Sequence, residues 1–160
     1  MVYGHGSHAC AFRRDSDEEH KEPRFELPLP PGPNLVTERG YDLIKARTEE
    51  LEAAASAAVS DEHRAELQHD LRYWRTRLAT AQVAPVPTGD AVAFGTRVTL
   101  EQDGRVRDLT IVGHDEADPP SGLIAFASPL GRALMGAEVG EDVTTPGSRQ
   151  LVRVISIERP

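Results

Sequence analysis

Cysteine is almost missing from this 160-residue chain. Cys10 stands alone, so no intrachain disulfide can form, which fits a reducing compartment. No apolar run approaches the roughly 20 residues of a membrane-spanning helix. The N-terminus lacks the charged-then-apolar order of a secretory signal. No glycine-rich phosphate loop is present. Positive charge is in deficit: Lys and Arg total 18 against 26 Asp and Glu, a net charge of −8. No overall basic field therefore draws the chain to nucleic-acid phosphate, although a local basic patch is compatible with that balance. These absences predict a soluble cytoplasmic protein with no membrane partner.

What is there divides unevenly. Residues 1–34 mix charges of both signs with Pro23, Pro28, Pro30, Pro31 and Pro33, and hold few large apolar side chains. Such a stretch cannot bury enough surface to offset its ordering entropy, so a disordered tail is predicted. His5, His8, Cys10 and His20 match no closed zinc spacing, and a solvated tail is the better reading. Residues 35–84 then read as a helical hairpin. Thr37 can cap a first helix, whose apolar face is Tyr41, Ile44, Thr48, Leu51, Ala55 and Ala58. Ser60 can cap a second, with Asp61 and Glu62 in its first turn. Leu67, Leu71, Trp74, Leu78 and Ala81 follow at four-three steps, a coiled-coil seam. The short connection forces the helices antiparallel. Helices of about 22 residues would each span roughly 33 Å.

Pro85 and Pro87 mark a linker over residues 85–90, after which the periodicity changes to that of strands. Residues 97–101, 106–112, 122–127 and 151–157 read as strands, with Asp103-Gly104 as a hairpin turn. Ser128 can cap a short helix with Pro129 at its first position and Gly136 past its end. Residues 91–160 thus read as a small antiparallel β domain with one short helix, and the chain as α+β.

Three runs sharpen this layout: Phe94-Gly95-Thr96-Arg97-Val98; Ile111-Val112-Gly113 leading into Asp115-Glu116-Ala117-Asp118; and Ser128-Pro129 with Ala133-Leu134 and Gly136. With Thr37 to Gly40 and Ala81-Gln82-Val83 bracketing the hairpin, they make residues 35–158 resemble the Gre family of bacterial transcription elongation factors. The resemblance implies an FKBP-like fold for the C-terminal domain. It implies docking on RNA polymerase at the rim of the secondary channel, with the hairpin pointing down that channel. The chain is expected to act as a monomer, to need no cofactor, and to meet nucleic acid only through the transcription complex. The hairpin is about twenty residues shorter than that of the cleavage factors, or about 15 Å of reach when shared between two arms. In this it is similar to the short-armed branch known as nucleoside diphosphate kinase regulators.

Site residues follow from the resemblance and are weighed against plainer roles. Ala127, Ser128 and Pro129, with Glu116 and Asp118, would face the polymerase. Ser-Pro by itself explains a helix start. Glu116 and Asp118 could also read as a carboxylate pair for acid–base work, but a loop that organises strands is the better reading. Asp61 and Glu62 lie at the hairpin tip, where the family's carboxylates help hold a second Mg²⁺ in the polymerase and a metal can activate water. A tip some 15 Å short cannot make contacts of about 2.1 Å, so the plainer role is to complement a helix N-terminus. Arg64, Arg72 and Arg75, with Arg77 partly round the helix, form a basic face that would meet RNA or the channel wall, or a solvated salt-bridged face. Trp74 and Met135 read as core. No residue is assigned a catalytic role, and the chain is expected not to be an enzyme. A working cleavage factor using Asp61 and Glu62 is the main alternative. A prolyl isomerase, argued from fold alone, would need an aromatic-lined pocket where only Phe94 and Phe126 are available.

Overall fold

A computed structural model describes residues 27–160. The elements run β1 (Leu35–Val36), α1 (Glu38–Ala57), α2 (Asp61–Thr80), β2 (Gln82–Val83), β3 (Arg97–Gln102), β4 (Arg105–Val112), β5 (Leu123–Ala125), α3 (Pro129–Leu134), β6 (Asp142–Thr144) and β7 (Leu151–Glu158). The expectations for His5, His8, Cys10 and His20 lie outside the described residues.

Both long helices begin where the capping residues direct. Thr37 holds an extended backbone and its hydroxyl accepts from the Gly40 amide at 2.9 Å; Ser60 does the same for His63 at 3.2 Å. Each helix has 20 residues, about 30 Å at 1.5 Å per residue. On α1 the face Ile44, Thr48, Leu51 and Ala55 is buried. On α2 burial is sparser: Leu71 and Arg77 are buried, while Leu67, Trp74 and Leu78 are half-buried. Trp74 is therefore not a core residue. Its ring packs edge-on against Tyr73 at 5.3 Å instead.

The hairpin starts and finishes at one place. β1 and β2 pair in parallel, and backbone amides of Gln82 and Ala84 donate to the carbonyls of Asn34 (2.9 Å) and Val36 (3.0 Å). Asn34, which falls within the expected tail, is buried here. Its Nδ2 donates to the Arg77 carbonyl at 2.8 Å and to Thr80 Oγ1 at 3.1 Å, fastening the entry of the hairpin to the end of α2.

The second half is a five-stranded sheet of order β5-β4-β3-β7-β6. The expectation of a purely antiparallel sheet is corrected at one edge. β5 runs parallel to β4, pairing Thr110–Val112 with Leu123–Ala125, because the 113–122 crossover returns the chain in the same direction. β5 is also shorter than residues 122–127, since Gly122 closes a 3₁₀ turn. Between β3 and β4, Asp103 (φ 53°) and Gly104 (φ 73°) make the two-residue turn that Asp-Gly favours, with both central residues at positive φ. The core gathers Val92, Val98, Leu100, Leu109, Ile111, Ile124, Leu134, Ala137, Val143, Val152 and Val154 under the sheet and α3. Met135, expected inside, is 40% exposed because α3 ends at Leu134 and turns it outward. Phe94 and Phe126 pack edge-to-face on each other at 5.4 Å, so these two rings serve packing.

Candidate functional site

The acidic run 114–118 forms the joint between hairpin and sheet. Val112 ends β4, and residues His114–Glu116 form a single 3₁₀ turn. That turn sends two consecutive carboxylates to two different helices. Asp115 takes α2: the Tyr73 hydroxyl donates to its Oδ1 at 2.5 Å and Arg77 Nε to its Oδ2 at 2.5 Å. The Arg77 and Asp115 side chains are 5% and 4% exposed, so this is a buried ion pair. Glu116 takes α1: the Thr37 hydroxyl donates to its Oε2 at 2.5 Å, and Arg39 approaches from the solvent side at 3.6 Å. Gly40 leaves room there, since a Cβ would meet Glu116 Oε2 at 2.7 Å and the carboxylate would have to move. Thr37 thus caps α1 and grips the sheet domain with the same hydroxyl.

The electrostatic signature falls on Tyr73, whose hydroxyl is pushed well above the usual tyrosine range. Burial is the main cause, then its hydrogen bond to Asp115 and the charge of that carboxylate, with Arg77 opposing.

This geometry corrects the reading of Glu116 as a polymerase-facing residue. Its side chain is 4% exposed and committed to α1. Arg77 likewise leaves the expected basic face for the joint. Asp118 is exposed, accepts from the Ser121 hydroxyl at 2.6 Å and bridges to Leu123 at the start of β5. β5 leads to Ala127 and Pro129, both exposed, with Ser128 half-buried between them. Ser128 Oγ accepts from the Gly131 amide at 3.1 Å and donates to the Ala125 carbonyl at 2.7 Å, so its cap role is explicit.

At the far end, Ala58-Val59-Ser60 joins the helices. The Asp61 side chain is fully exposed and Glu62 is exposed. Arg64, assigned to the basic face, folds back onto this tip. It donates to Asp61 Oδ1 at 2.8 Å and to the Ala58 carbonyl, at the end of α1, at 2.7 Å. Arg75 crosses the hairpin to Glu52, with Nε and NH2 at 3.1 and 3.0 Å from Oε1. Arg72 is exposed and, with Arg64, Gln68 and Arg75, lines a shallow groove against Glu52 and Ser56. Among the described residues, no group of three or more His, Cys, Asp or Glu side chains is placed to hold a metal ion.

Sequence reasoning picked out Glu116 and Asp118 but passed over Asp115, Tyr73 and Asn34. Arg77, set beside the seam residue Leu78, was the one available signal that a charge on this helix turns inward.

A helical arm clamped at its root to a small sheet domain, with carboxylates at its free end, defines an arm-on-base class of protein. Residues 87–159 match the family model described as "Transcription elongation factor, GreA/GreB, C-term". The chain is 37% identical over 111 residues to "Transcription elongation factor GreA" of Thermomicrobium roseum, covering 66% of this chain and 70% of that one. It is 41% identical over 93 residues to the GreA of Desulfovibrio desulfuricans, covering 54% and 57%. The chain belongs to the GreA/GreB family. It spans little more than half the length of the Desulfovibrio relative. A solved structure of "GreA factor homolog 1 (Gfh1)" from Thermus thermophilus aligns with 79% of this chain and 99% of its own, at 20% identity and a TM-score of 0.39.

Two expectations change with these relatives. The short-armed branch gains no support from them, because the matched proteins carry the GreA name. The expectation that the chain is not an enzyme is overturned by the same names, since each of these relatives is a "Transcription elongation factor GreA".

Proposed function

We propose that the chain binds RNA polymerase at the rim of the secondary channel and regulates elongation there, which places it in the cytoplasm. The sheet domain is the docking part, through Ala127, Ser128, Pro129 and Asp118; the hairpin is the part that enters the channel. The observation that carries this reading is the clamped root. Asp115 and Glu116 fix both helices to the sheet, so seating the base also aims the arm. A loosely tethered hairpin could occupy a channel only at the entropic cost of being oriented each time.

Two modes fit the arm. Helices of 20 residues support action by occupying the channel mouth, where the arm changes nucleotide access. The full exposure of Asp61 supports presentation of a carboxylate to a metal held by the polymerase. The experiment is co-purification with polymerase core enzyme, followed by incubation with backtracked elongation complexes. Retention with altered elongation supports the docking reading, and a chain that never co-purifies with the core enzyme sinks it. Transcript shortening that disappears in Asp61→Ala with Glu62→Ala assigns the second mode; shortening that never appears assigns the first.

A further inference from the structure

Among the described residues, most arginines lie beside a carboxylate. Arg64, Arg75, Arg77, Arg97, Arg153 and Arg159 each pair with an Asp or Glu. The start of β4 departs from that habit. Among the described residues, the Arg105 side chain has no hydrogen bond or ion pair, and the Arg107 side chain donates only to the amide oxygen of Gln102, at 3.3 Å. The two sit two residues apart on one strand, hence on one face. With Gln102, Asp103 and Gln150 they line an open groove. Asp103 offsets one of these two charges, and its carboxylate also accepts from Gln150 at 3.1 Å, so the groove keeps a net positive charge.

The same stretch has an unfinished sheet edge. β4 has eight residues, yet β5 pairs only with Thr110–Val112. Ile111 exchanges its backbone hydrogen bonds on the β3 side, while the Thr110 amide and the Val112 carbonyl bond toward the 122–126 segment. The alternation of an antiparallel ladder therefore turns the peptide groups of Val106 and the amide of Asp108 toward the open edge. The Asp108 carbonyl is already covered, since a Cβ at Gly122 would meet it at 2.8 Å. Val106 adds an apolar side chain that is 65% exposed.

We propose that the Arg105–Asp108 edge is a second docking surface, which takes an extended, acidic segment of a partner protein as an added strand. Backbone pairing would supply affinity. Carboxylates two residues apart on the guest would meet Arg105 and Arg107, because an added strand repeats its side chains with the period of its host. Nucleic acid fits less well, because it has no amide ladder to pair with the edge. As the source of the segment we assign a surface of RNA polymerase, a choice that rests on the function proposed above.

The test uses two probes. Binding to polymerase core enzyme is measured across salt for the full chain, for Arg105→Glu with Arg107→Glu, for Arg105→Lys with Arg107→Lys, and for Val106→Pro. The glutamate pair is expected to weaken binding about ten-fold and flatten the salt dependence, with the lysine pair near the parent. Val106→Pro removes an outward amide while keeping both charges, and should also weaken binding. The second probe is a synthetic peptide alternating glutamate and threonine, with hydrogen exchange at the Val106 and Asp108 amides as readout. Protection of those amides supports an added strand. Polymerase binding that none of these changes affects overturns the edge and leaves the polymerase reading intact. Peptide protection without polymerase binding does the reverse, and failure of both probes overturns both.

Discussion

Under the sheet, Val98, Leu100, Ile111, Leu134 and Val154 are fully buried, whereas α2 buries one aliphatic side chain, Leu71, and one arginine, Arg77. The sheet domain is held by a contiguous apolar core, where stability scales with area removed from water. The hairpin has a thin seam and takes its orientation from a few buried polar contacts at its root. Apolar packing tolerates small shifts. A buried ion pair with defined hydrogen bonds does not, and truncating one partner strands the other. The base is therefore stable by mass of contacts, and the arm is aimed by geometry.

That contrast can be broken from either side. Leu100→Ala should have the largest effect, a loss of about 4 kcal/mol in urea unfolding, because the emptied site lies at the centre of the sheet core. Sheet and hairpin should then lose structure together. Asp115→Ala should cost about 3 kcal/mol by leaving the Arg77 guanidinium buried without its carboxylate. Its distinguishing readout is Trp74, the single tryptophan, whose fluorescence should change before the sheet unfolds. Simultaneous loss of both signals would show that the joint is not the weaker link. Leu71→Ala should cost about 2 kcal/mol and raise amide exchange in the hairpin selectively. Thr37→Ala removes the α1 cap and the bond to Glu116, and should cost about 1 kcal/mol in thermal unfolding.

The smallest effect is a pH dependence. The Tyr73 hydroxyl is raised above its unfolded value, so the folded chain favours its neutral form. Its contribution is complete below the ordinary tyrosine pKa of about 10 and is lost as pH rises through the higher folded value. Unfolding midpoints should therefore fall on the alkaline side of pH 10, and less steeply in Tyr73→Phe.

How much of this could be read from the sequence follows the same division. Elements with strong local signals stood out: Thr37 and Ser60 at helix starts, the Asp103-Gly104 turn, Ser128-Pro129 and the alternating 151–157 strand. What was missed depends on distant partners or on very short segments. β1 and β2 have two residues each and no periodicity to detect, and they pair across the whole length of the hairpin. The parallel edge strand depends on the direction taken by a loop. Asp115 and Glu116 are adjacent acids whose separate destinations are set by one 3₁₀ turn, and neither composition nor spacing encodes that. Glu116 looked available because glutamate is usually exposed. The pull of Thr37 and the space left by Gly40 bring it inside.

The β1–β2 clasp has a consequence for how such molecules diversify. Since the arm departs and returns through adjacent residues, any equal extension or trimming of α1 and α2 near Val59 would leave Asn34, Asp115 and Glu116 with the same neighbours. Changes made in steps of seven residues per helix would also keep the seam in phase. Arm length is then a free parameter, adjustable to the depth of whatever cavity the molecule serves, while the anchor remains the same.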